Sequence, residues 1–238
     1  MKYVVYNGKT IKNRIFSKYP YISTNSESFD SLLDYGIMPY RIYNFYGEAG
    51  SGKTILLHQI AANAAKINGK VYYIDLEYNF NPTLILNISK NREFLNNIYY
   101  FKIKNFTEFL YIISKLLESN RNIDVLLIDN ITNLFNLSYN EDDQLKSFQP
   151  IIIIDIMYKL NKVKELLGIP IVITSGVRSL VEEVLSNAYK AYGDPLISSL
   201  ANFSIQLIKD NNLFRAVNPL YKGKSALFII KNGIITDI

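Results

Sequence analysis

Two kinds of apolar pattern alternate along the chain. Short runs with nearly every position apolar, "RIYNFYG" (41–47), "KVYYIDLE" (70–77), "IYYFKI" (98–103), "IDVLLID" (123–129) and "IPIVITS" (169–175), predict strands buried on both faces. Helices are predicted before and between them, the first from apolar residues spaced three and four apart. A short one at Phe29, Leu32 and Leu33 is closed by Gly36, and one from Lys53 to about Asn68 has Gly69 as its C-cap. Two more run through "TEFLYIISKLLES" (107–119) and "PIIIIDIMYKLNKVKELLG" (150–168). Strands alternating with helices predict an α/β architecture, a mostly parallel sheet covered on both faces. The last runs, "FSIQLIK", "LFRAV", "SALFIIK" and "GIITDI", are separated by turn residues and predict an antiparallel meander on one edge, with hairpins at Asn232-Gly233 and, near the start, Asn7-Gly8. No repeat, linker or low-complexity tract interrupts the pattern, so one domain over residues 1–238 is expected, with 1–21 a short N-terminal extension.

Composition narrows the chemistry. The chain has no cysteine and one histidine, which excludes disulfides and thiolate metal sites and argues against a histidine zinc site or a Ser-His triad. Reactive groups must come from Lys, Asp, Glu, Ser and Thr. A net charge of +5 favours an anionic partner without identifying one. The N-terminal stretch lacks the apolar core of a signal peptide, and the most apolar later run is interrupted by Asp155, so the expectation is a cytoplasmic protein with no membrane span.

"GEAGSGKT", Gly47, Glu48, Ala49, Gly50, Ser51, Gly52, Lys53 and Thr54, fits the phosphate-binding pattern G-x-x-x-x-G-K-[ST] at every fixed position, between a predicted strand and a predicted helix. The glycines let successive amides and the helix N-terminus face phosphate oxygens. Lys53 would contact the β- and γ-phosphates and the Thr54 hydroxyl would ligate Mg²⁺. A second magnesium carboxylate is needed at the end of another parallel strand, and Asp129 after "VLLI" supplies it. "YIDLEYNF" (73–80) ends a strand in two acids, Asp75 and Glu77, which alternation would put on one face. The residues alone leave open whether these are solvated acids or part of a reaction site.

Several stretches together carry a resemblance: "ISTNSESFDSLLDYGI", "RIYNFYGEAGSGKTILLHQIAANAA", "VYYIDLEYNFNP", "DVLLIDNIT", "IPIVITSGV", "YGDPLISSLANFSIQLIK" and "SALFIIKNGIITD". In this order, and from about Ile22 onward, they resemble the RecA-like recombinases, specifically the archaeal RadA and RadB branch. The resemblance implies a RecA-like P-loop core that uses ATP and Mg²⁺, and it gives Glu77 the role of orienting the water that attacks the γ-phosphate, with Lys53 stabilising transferring charge. Asp75 is left a neighbouring, structural part. The chain departs from the family where its glutamine sensor falls on Gly176, beside Ser175, and where the arginines expected within "NFNPTLIL" are missing. "IFSKYPY" lacks the alanine of an F-x-x-A subunit-linking motif, Pro219 lacks its acidic companion, and no DNA-binding domain is expected ahead of the core.

The resemblance further implies single-stranded DNA on the loops after Asp129 and Ile173. The first loop offers Phe135, Tyr139 and Phe148 for stacking but also Glu141, Asp142 and Asp143. The second offers Arg178, Tyr189, Lys190 and Tyr192, of which Arg178, Tyr189 and Lys190 are the nucleic-acid candidates. "KGKS" (222–225) is read as a solvated turn and His58 as a packed helix residue. The expected function is that of a recombinase paralogue, a weak Mg²⁺-dependent ATPase that assists recombination and repair beside a RadA-type recombinase, with a homo-oligomer possible. The alternatives are a nucleotide-gated interaction protein with negligible hydrolysis and, less in keeping with the missing arginine-rich lid, a small-molecule kinase.

Overall fold

The computed structural model describes residues 4–6, 9–11, 15–16, 18–118, 122–134, 149–178, 190–191, 196–220 and 224–238. Outside them lie Asn7-Gly8, the first-loop residues Phe135, Tyr139, Glu141, Asp142, Asp143 and Phe148, the second-loop Tyr189 and Tyr192, and Lys222 and Gly223; at Arg178 and Lys190 only the backbone is described.

A small ribbon, β1 (Val4–Tyr6) with β2 (Lys9–Ile11), precedes α1 (Glu27–Leu32). Then follow β3 (Ile42–Gly47), α2 (Lys53–Lys66), β4 (Val71–Asp75), α3 (Pro82–Ser89), a 3₁₀ turn (Arg92–Asn97) and β5 (Ile98–Lys102). After α4 (Phe106–Glu118) come β6 (Val125–Asp129), α5 (Gln149–Leu167), β7 (Ile171–Ser175) and a two-stranded ribbon of β8 (Val177–Arg178) and β9 (Lys190–Ala191). The chain closes with α6 (Leu196–Leu200), β10 (Phe203–Asp210), β11 (Leu213–Val217), β12 (Ser225–Lys231) and β13 (Ile234–Asp237).

One nine-stranded sheet organises these elements in the order β13-β12-β11-β10-β3-β7-β6-β4-β5. It is parallel from β10 through β5 and antiparallel from β10 through β13. The tail therefore extends one edge as expected, and its first strand, "FSIQLIK", starts the antiparallel run with β11 while its other side pairs in parallel with β3.

Strand parity sorts the core into two layers. Tyr43, Phe45, Tyr73, Leu127 and Val172 pack against α1, α2 and α3, while their neighbours Ile42, Ile74, Leu126, Ile128 and Ile173 pack against α4 and α5. A strand flanked on both sides by helices has no polar face, which is why these runs are continuous rather than alternating. Each large side chain so enclosed contributes roughly 1.5–3 kcal/mol. α2 is buried from Leu56 to Ala65, its alanines allowing close approach to the sheet, and Gln59 fastens β13 to it through Ile235 N (2.8 Å) and Ile235 O (3.0 Å).

Two boundaries differ from expectation. α2 ends at Lys66 in a Schellman turn: Gly69 N donates to Ala64 O (2.9 Å) and Asn68 N to Ala65 O (3.0 Å). The left-handed residue is Asn68, φ 63°, and not Gly69. Gly69 is small because a Cβ there would lie 2.9 Å from Ala64 O and 3.0 Å from Ile15 Cδ1. The second is β4, which stops at Asp75, so Glu77 is outside the strand and the shared-face expectation for the two acids does not hold. The segment α3 and its 3₁₀ turn were not anticipated; Asn81 caps α3 by accepting from Leu84 N, with Pro82 in the first turn.

α1 has only six residues and depends on its ends. Ser26 caps it by accepting from Phe29 N (3.2 Å), and Asp237 at the end of β13 accepts from Ser26 Oγ (2.6 Å), Glu27 N (2.6 Å) and the Ser28 hydroxyl. Burial pushes the Asp237 carboxyl up, but these donors outweigh it and hold it below its ordinary value. Because the folded state favours the charged form, this contribution is complete above the unfolded carboxylate range and disappears as pH falls through the folded pKa. Asp237→Ala is expected to cost about 1 kcal/mol, a capping-sized loss reduced by solvent screening. Urea unfolding of the two proteins at pH 7 would measure it, and the difference should vanish in strong acid.

Candidate nucleotide site

The carboxyl ends of β3, β4, β6 and β7 bound a cleft of about 500 Å³, where parallel strands in an open sheet leave their loops free to meet. β3 delivers the glycine loop. A Cβ at Gly47 would stand 2.3 Å from Leu207 O of the adjacent β10, so only glycine lets the loop leave the sheet here. Gly50 (φ 78°) and Gly52 (φ 95°) take left-handed conformations that turn the chain into α2, whose first residue is Lys53. Lys53 Nζ donates to Gly47 O (2.8 Å) and Glu48 O (2.7 Å), inside the loop it closes.

The opposite wall is the turn after β4. Asp75 is fully buried, and its Oδ1 accepts from Glu77 N (3.0 Å) and Tyr78 N (2.8 Å), its Oδ2 from Phe80 N (3.0 Å) and the Tyr100 hydroxyl (3.1 Å). Burial and the Asp75 charge push the Tyr100 phenol up to about 12, so it stays a donor. The turn is also tied to β5 and its exit: Tyr78 hydroxyl donates to Ile103 O (3.0 Å), Lys102 Nζ lies 4.1 Å from the Tyr78 ring centroid, and Phe80 stacks on Tyr100 at 4.5 Å. Wrapping around Asp75 carries Glu77 away from the strand and to the cleft.

Glu77 Oε1 accepts from Asn130 Nδ2 (2.9 Å) and Oε2 from Asn79 Nδ2 (3.2 Å). Burial and the nearby Asp129 charge raise its carboxyl above the ordinary value, against the pull of Asn130, Lys53 and Asn79. Lys53 moves the other way: burial lowers it, while Glu77, Asp129 and Glu48 oppose the shift. The cleft thus desolvates an opposed lysine and glutamate, each sustaining the other's charge.

Asp129 sits deeper than expected for a direct ligand. It is 1% exposed, behind the cleft lining, and its carboxylate accepts from Thr174 Oγ1 (2.5 Å) and the Tyr73 hydroxyl (3.3 Å). Thr54, Lys53, Gly47, Glu48, Ala49, Gly50 and Gly52 all border the cleft, and so does Gly176, whereas Ser51 is buried beneath it. Ser51 Oγ has no hydrogen-bond partner, and a Cβ at Gly50 would meet nothing within 4 Å; a buried donor without an acceptor and an open glycine cradle fit a phosphate-bearing ligand. Among the described residues no group of three or more Asp, Glu, His or Cys could hold a metal ion. Ser175 is occupied elsewhere, donating to Asn44 Oδ1 (2.8 Å) inside the sheet. Arg178 and Lys190 are paired positions of the β8–β9 ribbon, immediately beyond Gly176.

Asn79, Asn130 and Thr132 also line the cleft, and no motif in the sequence marks them. Asn130 directly follows Asp129 at a strand end, a position that signals proximity to the site, but an amide there carries no chemical signature.

A glycine loop between β3 and α2, facing a carboxylate from the turn after β4 over a parallel sheet with this antiparallel edge, defines a RecA-like P-loop nucleotide-binding protein. The crystal structure of a RadB recombinase has the same fold, with a TM-score of 0.71, 22% identity, and coverage of 91% of this chain and 99% of that one. The Rad51 family model matches residues 17–237, and the chain belongs to the Rad51 family, a group of RecA-like recombination and repair proteins. Proteins of this class are generally ATPases that use ATP and Mg²⁺ and work with DNA and recombinase partners.

The chain's one histidine joins the two walls. Asn81 N donates to His58 Nε2 (2.8 Å), so Nδ1 carries the proton and donates to Thr54 O (2.6 Å). Burial lowers its pKa from 6.5, more than the Thr54 carbonyl, Asp129 and Asp75 raise it. A neutral folded histidine gives stability that is complete above the unfolded pKa and declines as pH falls below it toward the folded value. The thermal midpoint should therefore drop between pH 7 and 5, this group removing at most about 1.4 kcal/mol of stability per pH unit, and His58→Gln should flatten that slope. An equally steep slope in the variant would assign the acid sensitivity to other groups.

Proposed function

We propose that the protein is a RadB-like paralogue that binds ATP with Mg²⁺, hydrolyses it slowly, and assists homologous recombination beside a RadA-type recombinase. The observation that carries this reading is the aim of Glu77: a turn built around Asp75 brings it opposite Lys53, across a cleft floored by the glycine loop. Gly47 to Thr54 would cradle the phosphates, with Lys53 exchanging its loop carbonyls for β- and γ-phosphate oxygens and thereby stabilising transferring charge. The Thr54 hydroxyl would hold Mg²⁺, and Asp129, engaged by Thr174 and Tyr73, would act from behind as a fixed negative charge. The bound Mg²⁺ would neutralise charge on the phosphates. Glu77 would orient the attacking water and accept its proton, and its raised pKa makes it a better base than an exposed glutamate. Single-stranded DNA would meet the β8–β9 ribbon, where Arg178 and Lys190 face each other in register with Tyr189 next to them in sequence.

A second reading, a nucleotide-gated interaction protein with negligible hydrolysis, draws on the sheet edge. Among the described residues β5 is the terminal strand of the sheet, with Tyr99 and Tyr100 about two-fifths exposed, and an open strand edge is a template for another chain.

ATP turnover separates the two. Glu77→Gln is expected to lose about a hundredfold or more in kcat while retaining nucleotide, the general-base contribution, and Lys53→Ala to lose both binding and turnover. Wild-type turnover no faster than that of Glu77→Gln, with and without single-stranded DNA, would remove hydrolysis from the assignment; ATP-dependent capture of a purified RadA-type recombinase would then support the second reading.

A further inference from the structure

Asn130 makes three of its hydrogen bonds in two directions. Its Nδ2 donates to Glu77 Oε1 (2.9 Å), while its Oδ1 accepts from both the amide (3.0 Å) and the hydroxyl (2.6 Å) of Thr132. Two donors on the oxygen fix which end of the amide is which, so the group facing Glu77 is the NH₂. Asn130 and Thr132 are 5% and 7% exposed, and a buried side-chain amide held at both ends has one orientation. Thr132 Oγ1 in turn accepts from Gly176 N (3.3 Å), and β8 begins at the next residue. A Cβ at Gly176 would stand in ordinary contact with Thr132 Oγ1 (3.5 Å) and Asn130 Nδ2 (4.0 Å), so the position has room for a side chain; with glycine there, the backbone amide is the group that reaches Thr132.

The geometry points to Asn130 as the positioning residue for Glu77, and to the hydrogen-bonded series Glu77, Asn130, Thr132, Gly176 as the link by which the nucleotide cleft acts on the β8–β9 ribbon. This inference rests on the reading of the cleft as an ATP-hydrolysing site. Glu77 is anchored through Asn130 to the end of β6 and through Asn79 to its own turn, so a change in what Glu77 faces alters the donor that Asn130 presents. Thr132 answers with both its amide and hydroxyl, and among the described residues the series continues to Gly176 and the start of β8.

Two measurements test it. In a double-mutant cycle, Asn130→Ala should lower kcat about tenfold to a hundredfold, the scale of a misplaced catalytic group, with affinity for a non-hydrolysable ATP analogue changed less than about twofold. In a Glu77→Gln background the same substitution should change kcat by less than about twofold, because a group acting only through Glu77 has nothing left to position. Equal losses in both backgrounds would overturn the positioning role and mark Asn130 as merely structural. Separately, the amide resonance of Ala191, which pairs with Val177 across the ribbon, should shift when the ATP analogue binds, and that ligand-induced shift should be lost in Asn130→Ala and in the isosteric Thr132→Val. A shift that persists in both variants would overturn the link. Should the wild type not exceed Glu77→Gln in turnover, hydrolysis falls as the activity and the amide measurement alone decides the inference.

Discussion

A buried carboxylate stabilised by backbone amides is the interaction on which the cleft depends. Asp75 cannot be enclosed as an anion without donors, and it obtains them by pulling the amides of Glu77, Tyr78 and Phe80 around itself, with Tyr100 supplying a hydroxyl. The positive φ of Tyr78 (63°) is one consequence, since the chain must reverse sharply to present these amides to one acceptor. Another is the position of Glu77, which leaves the sheet and reaches the cleft. Strength here comes from charge-assisted bonds to an acceptor that water cannot reach.

The same turn ties distant parts of the molecule to each other. Its aromatic members, Tyr78 and Phe80, rest on Lys102 and Tyr100 of the outermost strand, while Phe80 and the following Asn81 reach His58 on the helix that carries the glycine loop. One side of Glu77 is therefore set by the sheet edge and the other, through Asn130, by the end of β6. Across the cleft, burial acts on Lys53 and Glu77 in opposite directions, lowering one and raising the other, while Asp129 behind them sustains the lysine and disfavours a second negative charge. Ionisable groups shifted by burial and by one another within a cleft mark it as a functional-site candidate.

Much of this was legible along the chain because the relevant forces are local or periodic. A glycine loop with Lys53 and Thr54 needs particular residue types at particular spacings, so its location and the β3 and α2 flanking it follow from eight residues. Continuous apolar runs announced the strands, and their regular alternation with helical patterns announced a parallel sheet with two covered faces. Asp129 could be marked because it ends such a run. The misjudged features have a common physical origin in contacts between segments remote in sequence. β4 was extended to Glu77 by its own pattern, but the strand stops where Asp75 finds amides and the Tyr100 hydroxyl. The end of α2 was placed on a glycine whose small size answers Ile15 and Ala64 O, while Asn68 takes the left-handed turn.

By itself the sequence determined the class of fold, the place of the glycine loop and the pool of candidate groups, because these depend on periodicity and on conformations that only certain residues allow. The tertiary structure alone decided that "FSIQLIK" pairs in parallel with β3, that Asp129 is shielded by Thr174 and Tyr73, and that an unremarked asparagine holds Glu77. Those outcomes depend on which strand ends become neighbours and on which buried polar group finds a partner, and neither is written in the spacing of residues along one chain.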